Sequence, residues 1–488
     1  MREVLLRIRK GTVIFASGTM ISRLTGFARD VATAALLGAT KELALFFVAF
    51  RLANLFRRLL AETPLSSSVL PYAEKHPNQQ KLFFQLTGFG FLSTTILVVL
   101  CNFALMFGTS VATPDWAEIS RLTIIMLPSL LFLVGTSVNN AFLQLKGMMF
   151  PISVSSSLCN VVWLLVLPAA ALFNNPGRGL AWGVLGGFVV QYLYTLYMVG
   201  RAYAFSWKQK EYGLISEVRP ILVPFFLSLS GIAATQINNA LDPIFATFAL
   251  AEAPAYLWYA VRIYLLPLSL LGIAFLSASF PELARLYKEE DKKPFENLIE
   301  KGISYLFLVF IPLSMLIIFC SKDIISLIYY RGAFTMGDME ATSSCLSAYA
   351  LGLAPYALVL FLSNVSYAEG EYRWPAIASF IGVASNITLN ALFVFVFKLG
   401  APSVALATSL ASLINMILLM KKGGMKEMFF PCFASVAALF VTLNVPEARA
   451  GSQLDAFVHG FSAVCVFGTI YGLLFLGKKK AESRKTRP

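Results

Sequence analysis

Ten stretches of this chain, each 18 or more residues long, contain no Asp, Glu, Lys or Arg: 82–108, 122–144, 151–173, 180–200, 302–320, 341–368, 374–397, 399–420, 428–445 and 456–477. About 20 helical residues span a bilayer core, and a soluble domain has little use for so many uncharged runs. The alternating pattern of an outer-membrane barrel is absent from them. Four more runs, 11–38, 43–60, 220–249 and 253–280, are apolar but carry charges. The expected fold is therefore an all-α polytopic membrane protein with 14 transmembrane helices. Only 13% of the residues are charged and 58% are apolar, against about a quarter charged in an ordinary soluble domain. That excludes a soluble enzyme, a nucleic-acid-binding domain and a disordered chain.

The distribution of basic residues tests the span count. With 14 spans both termini lie on one side. Tails and connectors on that side hold 26 of the 39 Lys and Arg residues, and the opposite connectors hold 6. The split obeys the positive-inside rule, so both termini are expected to be cytoplasmic. The net charge of +13 is thus a topology signal, with no nucleic-acid motif around it. The first run is expected to be a retained helix, because Arg23, Arg29 and Asp30 interrupt the uncharged core of a cleaved leader. The six Cys residues lie in apolar runs without CxxC spacing, so neither a disulfide framework nor a zinc site is expected.

The sequence also repeats. AFRLANLFRRLLAETPLSSSVLPYAE begins at Ala49 and AVRIYLLPLSLLGIAFLSASFPELA at Ala260, which aligns Arg51 with Arg262 at an offset of 211. Asn140 and Pro151 are spaced like Asn364 and Pro375, at an offset of 224. A six-helix period preserves orientation. The organisation implied is two six-helix lobes in a parallel repeat, at 1–210 and 211–424, followed by two extra helices and a basic tail at 425–488. Transporters are commonly built this way, with the substrate site between the halves.

Charges inside a span cost about 2.5–3.5 kcal/mol each on insertion scales and usually face a cavity. Here they are Arg23, Arg29, Asp30, Arg51, Arg57, Arg58, Asp242 and Arg262. They occupy only the first two helices of each lobe, six positive against two negative. A cationic cavity suits an anion, and the guanidinium fork matches phosphate oxygens. Helical spacing puts Arg51, Asn54 and Arg58 on one face, with Arg57 roughly 100° away. Arg57 and Arg58 can alternatively snorkel to the cytoplasmic surface, and Asp30 can serve only to pair a neighbouring Arg. Arg23 and Arg29 are about 120° apart on an ideal helix, and a bend at Gly26 would bring them together.

A smaller polar set comprises Asp242, Asn386, Asn390 and Thr408. One carboxylate with amide and hydroxyl oxygens could hold Na+ or exchange a proton; the alternative is helix–helix hydrogen bonding. No other cofactor is called for. The segment RGAFT, 331–335, follows the amphipathic stretch DIISLIYY and is expected to cap or lie on the outer face.

SGTMISRLTGFARD (17–30), FFVAFRLANLFRRLLAE (46–62), SSSVLP (66–71), YAVRIYLLPLSLLGIA (259–274) and RGAFT resemble the MurJ/MviN lipid II flippase family, part of the multidrug/oligosaccharidyl-lipid/polysaccharide exporter superfamily. The resemblance implies a multi-pass protein of the bacterial inner membrane that carries lipid II, the lipid-linked peptidoglycan precursor, to the outer leaflet. It implies a non-enzymatic flippase acting in cell wall biogenesis, with membrane lipids and cell-wall synthesis proteins around it. It assigns functional weight to Arg23, Arg29, Arg57 and Arg262, and a lipid-tail groove to the last two helices. The chain departs from the family pattern at Ala44 and Val261, where acidic or polar residues are usual, at Ala53 before Asn54, and at Glu62-Thr63. Within transport, the competing expectations are export of another polyprenyl-linked saccharide and ion-coupled drug export. The excess of Arg argues against cationic drugs.

Overall fold

The computed structural model describes residues 2–59, 63–109, 113–203 and 218–420. The expected spans 428–445 and 456–477 and the basic tail lie outside these residues. Every regular element among the described residues is helical. They are α1 (Arg2–Leu37), α2 (Lys41–Arg57), α3 (Thr63–Lys75), α4 (Gln79–Thr109), α5 (Pro114–Met126), α6 (Ser129–Leu145), α7 (Met149–Ala170), α8 (Pro176–Tyr203) and α9 (Arg219–Ala249). Then follow α10 (Ala253–Pro267), α11 (Ile273–Leu286), α12 (Lys293–Phe319), α13 (Ser321–Tyr329), α14 (Met336–Ala350), α15 (Leu353–Ala368), α16 (Arg373–Ala391) and α17 (Pro402–Leu419).

Each expected span within the described residues falls on these helices. Among the described residues seven helices are long and apolar enough to cross a bilayer, or nine when the bent pairs α5–α6 and α14–α15 each count as one span. The chain is a multi-pass membrane protein. One face of α4 presents Leu92, Ile96, Val99, Phe103 and Phe107, all more than half exposed. So much uncovered apolar surface at helical spacing is at home only against lipid.

Helix irregularities recur at the offsets of the sequence repeat. The backbone widens to π geometry at Arg58 and Leu59, and again over Leu268–Gly272; an offset of 211 carries 58–59 onto 269–270. The α5–α6 and α14–α15 pairs are each bent by 40°. Their breaks, at Leu127–Pro128 and Leu351–Gly352, are 224 residues apart. Pro128 and Pro267 explain two of these features locally, because proline removes an N–H from the helix ladder.

The helices form two compact units, Met1–Ile244 with Gly332–Phe334, and Phe245–Arg331 with Thr335–Pro488. In the first unit α7 packs along both α1 and α8. The α7–α8 contact is built from small residues: Gly179, Gly183 and Gly187 recur every four residues and face Ala170, Val166 and Cys159. Lipid is as apolar as Leu, so close backbone approach of this kind, and not apolar burial, holds membrane helices together. The α1–α7 contact is polar. Ser22 and Ser156 hydroxyls are hydrogen-bonded at 2.7 Å, and Asn160 Nδ2 donates to Ser22 O and Thr25 Oγ1, both at 3.3 Å. Gly26 keeps α1 close to the Asn160 amide. α1 runs unbroken from Arg2 to Leu37, and Gly26 lies within it at this close contact.

In the second unit α14 packs on α10, α12, α13 and α17. Tyr259 lies against Tyr329 at 4.9 Å and Tyr264 stacks on Tyr349 at 5.4 Å. Ser409 of α17 donates to Ala348 O at 2.7 Å.

The RGAFT segment is a specific docking element. Ala333 N donates to Ala35 O, near the end of α1, at 2.8 Å, and Phe334 is buried. Thr335 and Asp338 then form a reciprocal capping box that starts α14. Gly332 has φ +60°, and a Cβ there would overlap Ala35 O. Gly332→Ala is therefore expected to undock the loop and cost about 1–3 kcal/mol. Thermal unfolding of the purified protein measures this; an unchanged midpoint would refute the docking.

Candidate functional site

The two candidate arginines of α1, Arg23 and Arg29, have different surroundings. Arg23 is exposed. Arg29 is buried, and its Nε and Nη2 donate to Asp30 Oδ1 at 3.1 and 2.7 Å. Its Nη1 donates to Asn160 Oδ1 at 3.0 Å, and its Cζ lies 4.5 Å from the Trp163 ring centre. Trp163 is wedged edge-on against Phe46 and Phe50 and donates from Nε1 to Thr33 Oγ1 at 3.2 Å. A buried charge needs a partner, and Asp30 supplies it at 2.7 Å. The Arg29–Asp30 pair thus adds no net charge, whereas Arg23 offers a full cation.

On α2, the predicted face of Arg51, Asn54 and Arg58 is turned towards α9. Arg51 Nη1 donates to Asn239 O at 3.1 Å and Arg58 Nη1 to Gln236 Oε1 at 3.4 Å. Asn54, between them, is half-buried. Arg57 points elsewhere, as the spacing requires, with its Cζ 5.4 Å from the Phe188 ring of α8.

In the second unit Arg262 is half-buried, with its Cζ 4.2 Å from the centre of the Trp258 ring. Trp258 is itself almost fully buried. Pro267 and the π segment Leu268–Gly272 follow within two turns, and π segments recur at functional sites.

Three residues of the polar set are hydrogen-bonded to one another. Asn390 Nδ2 donates to Asn386 Oδ1 at 2.8 Å, and Asn386 Nδ2 donates to Thr408 Oγ1 at 3.3 Å. These three bind α16 to α17, the helix–helix alternative raised by the sequence. Asp242 is buried on α9 and belongs to the first unit. Among the described residues no three His, Cys, Asp or Glu side chains group as a metal site. A cavity of about 370 Å3 in the first unit is lined by Leu70, Glu74, Gln79, Gln144, Lys146 and Tyr203 among others; none of the candidate residues borders it.

Sequence reasoning missed the aromatic and amide partners. Trp258 was legible at i, i+4 from Arg262. Asn160, Trp163 and Phe188 are brought by other helices, and no local spacing marks them.

The family profile described as Lipid II flippase MurJ matches residues 33–446. A probable lipid II flippase MurJ of Vibrio cholerae is 30% identical over 443 residues, covering 85% of this chain and 82% of the relative. One of Aquifex aeolicus is 30% identical over 428 residues, covering 85% and 83%. Among solved structures, a lipid II flippase MurJ in an inward closed conformation superposes with a TM-score of 0.79 at 24% identity, over 96% of this chain and 99% of that one. An inward-facing MATE family transporter of the MOP superfamily superposes at 0.63 and 16% identity, over 86% and 98%. At these identities the structural likeness is one of fold alone. With the profile covering most of the sequence and relatives at 30% identity along more than four-fifths of their length, the chain belongs to the lipid II flippase MurJ family.

Proposed function

We propose that this chain flips lipid II from the cytoplasmic to the outer leaflet of the bacterial inner membrane. The observation that carries the reading is the family match over residues 33–446. The site chemistry agrees with it. Lipid II joins a diphosphate to a sugar–peptide headgroup and a polyprenyl tail. The headgroup cannot cross about 30 Å of hydrocarbon unaided. A cationic path through the protein shields it, while the tail stays in lipid.

In this reading Arg23, Arg51, Arg57 and Arg262 meet the diphosphate, and Asn54 meets neighbouring polar groups. Arg29, already engaged with Asp30 and Asn160, acts with them as a scaffold for α1. The full architecture is 14 helices in two six-helix lobes, with residues 1–210 and 211–424 alternating in access and the last two helices holding the tail. Both termini are cytoplasmic, in keeping with the 26 to 6 split of basic residues. The inside-negative membrane potential, worth about 2.3 kcal/mol per charge per 100 mV, pulls the emptied cationic site back inward. No catalytic residue is required.

The test is lipid II exposure on the outer face of bacterial cells depleted of their own flippase and expressing this chain. An impermeant enzyme that cleaves exposed lipid II reads the flux. Restored cleavage supports the reading. No cleavage, with the protein folded in the membrane, points to another polyprenyl-linked saccharide as cargo.

Coupling to Na+ or H+ runs through Asp242 in this scheme. Asp242→Asn is then expected to make flux in proteoliposomes indifferent to an imposed ion gradient. A gradient response equal to that of the unaltered chain would remove Asp242 from the mechanism.

A further inference from the structure

Three of the candidate arginines lie against aromatic rings. Arg29 lies over Trp163 at 4.5 Å, Arg57 over Phe188 at 5.4 Å and Arg262 over Trp258 at 4.2 Å. A guanidinium has two separate resources. Its flat face stacks on a ring, and its edge carries the N–H donors. Stacking therefore fixes the group without consuming the donors an anion would use.

At Arg29, three donors are spent on Asp30 and Asn160. Arg262 is half-buried and sits in the turn next to Pro267 and the widened segment Leu268–Gly272. Trp258 lies one turn earlier on the same helix, so both partners of the contact belong to α10. The ring is 4% exposed, hence held in place, and an arginine freed from it would regain the many rotamers of its long side chain.

We propose that Trp258 is a positioning residue: its ring face holds the Arg262 guanidinium flat, in the orientation in which it meets the diphosphate of the transported lipid. The inference rests on the flippase reading above, in which Arg262 touches that diphosphate. It names Trp258 as acting through Arg262, with no contact of its own to the cargo.

The experiment is a double-mutant cycle on the purified full-length protein in nanodiscs, with lipid II as the probe. Trp258→Leu is expected to weaken lipid II binding about tenfold, the scale of a desolvated cation–π contact. Trp258→Phe, which keeps a ring face, stays within about threefold of the unaltered chain. In an Arg262→Ala background, Trp258→Leu changes binding no further. A merely structural Trp258 would give the opposite result, an equal loss with and without Arg262, and that result overturns the proposal. So does unchanged binding in Trp258→Leu. If the unaltered chain itself fails to bind lipid II, the flippase reading falls and takes this inference with it.

Discussion

Arg23→Ala and Arg262→Ala are each expected to reduce lipid II exposure about tenfold or more, with the protein still inserted and folded. A hydrogen bond to a charged group is worth about 1.5–3 kcal/mol, and about 1.4 kcal/mol is one decade in rate or affinity. Arg23 is exposed on α1 and Arg262 half-buried on α10, so neither substitution leaves an uncompensated buried charge. The loss should therefore appear in flux and in lipid II binding while the unfolding midpoint stays within a degree or two. Lysine should recover only part of the loss, because an ammonium cannot make the two parallel bonds of a guanidinium fork. Unimpaired cleavage of exposed lipid II in both alanine variants would show that the diphosphate does not pass these residues.

Asp30→Ala should act in the opposite sense, on stability first. Asp30 and Arg29 are both buried and 2.7 Å apart. Removing the carboxylate leaves the guanidinium charged, buried and short of its main partner, a change that costs about 3–5 kcal/mol in buried pairs. Replacing both residues together, Arg29→Met with Asp30→Leu, removes charge and countercharge at once and should recover most of that loss. The double variant then separates two roles for Arg29. If it folds and still flips lipid II, Arg29 serves the scaffold alone. If it folds but flux is lost, Arg29 also touches the cargo. Thermal unfolding in detergent and the cleavage assay supply the two readings, and a stable Asp30→Ala protein would contradict the pairing.

Much of this architecture was written in the linear pattern of charge and hydropathy. Uncharged runs marked the helices because each must satisfy its own backbone in lipid. The repeat was visible as Arg51 against Arg262 and Asn140 against Asn364, and the π segments and bends fall at those same offsets. Neither the break at Leu127–Pro128 nor that at Leu351–Gly352 was read from the sequence, where 122–144 and 341–368 each stood as one span. Periodicity correctly set Arg57 apart from Arg51 and Arg58, because those angles are properties of one helix. It says nothing of the packing role of Gly26. The glycine serves proximity to Asn160, a residue far away in sequence. The same limit applies to Arg29, whose charge looked like part of an anion site. Asp30 was next to it all along, but only the fold shows that both side chains are buried together. The Asn386–Asn390–Thr408 group left two readings open in the sequence, an ion site or helix–helix bonding, and the fold shows Asn390 donating to Asn386 within α16 and Asn386 donating across to Thr408 of α17.

The polar contact between α1 and α7 has a bearing on which parts can move. Ser22, Thr25, Arg29 and Thr33 meet Ser156, Asn160 and Trp163 along about three turns. In a soluble protein, sliding one helix past the other would exchange such bonds for water. In hydrocarbon no water is waiting, so a slip of one residue would strand several donors at once. Apolar helices can glide in lipid, but these two are keyed like a ratchet and bolt. Any stroke that carries Arg23 must carry α7 with it, and the give must come from contacts that hold no such key.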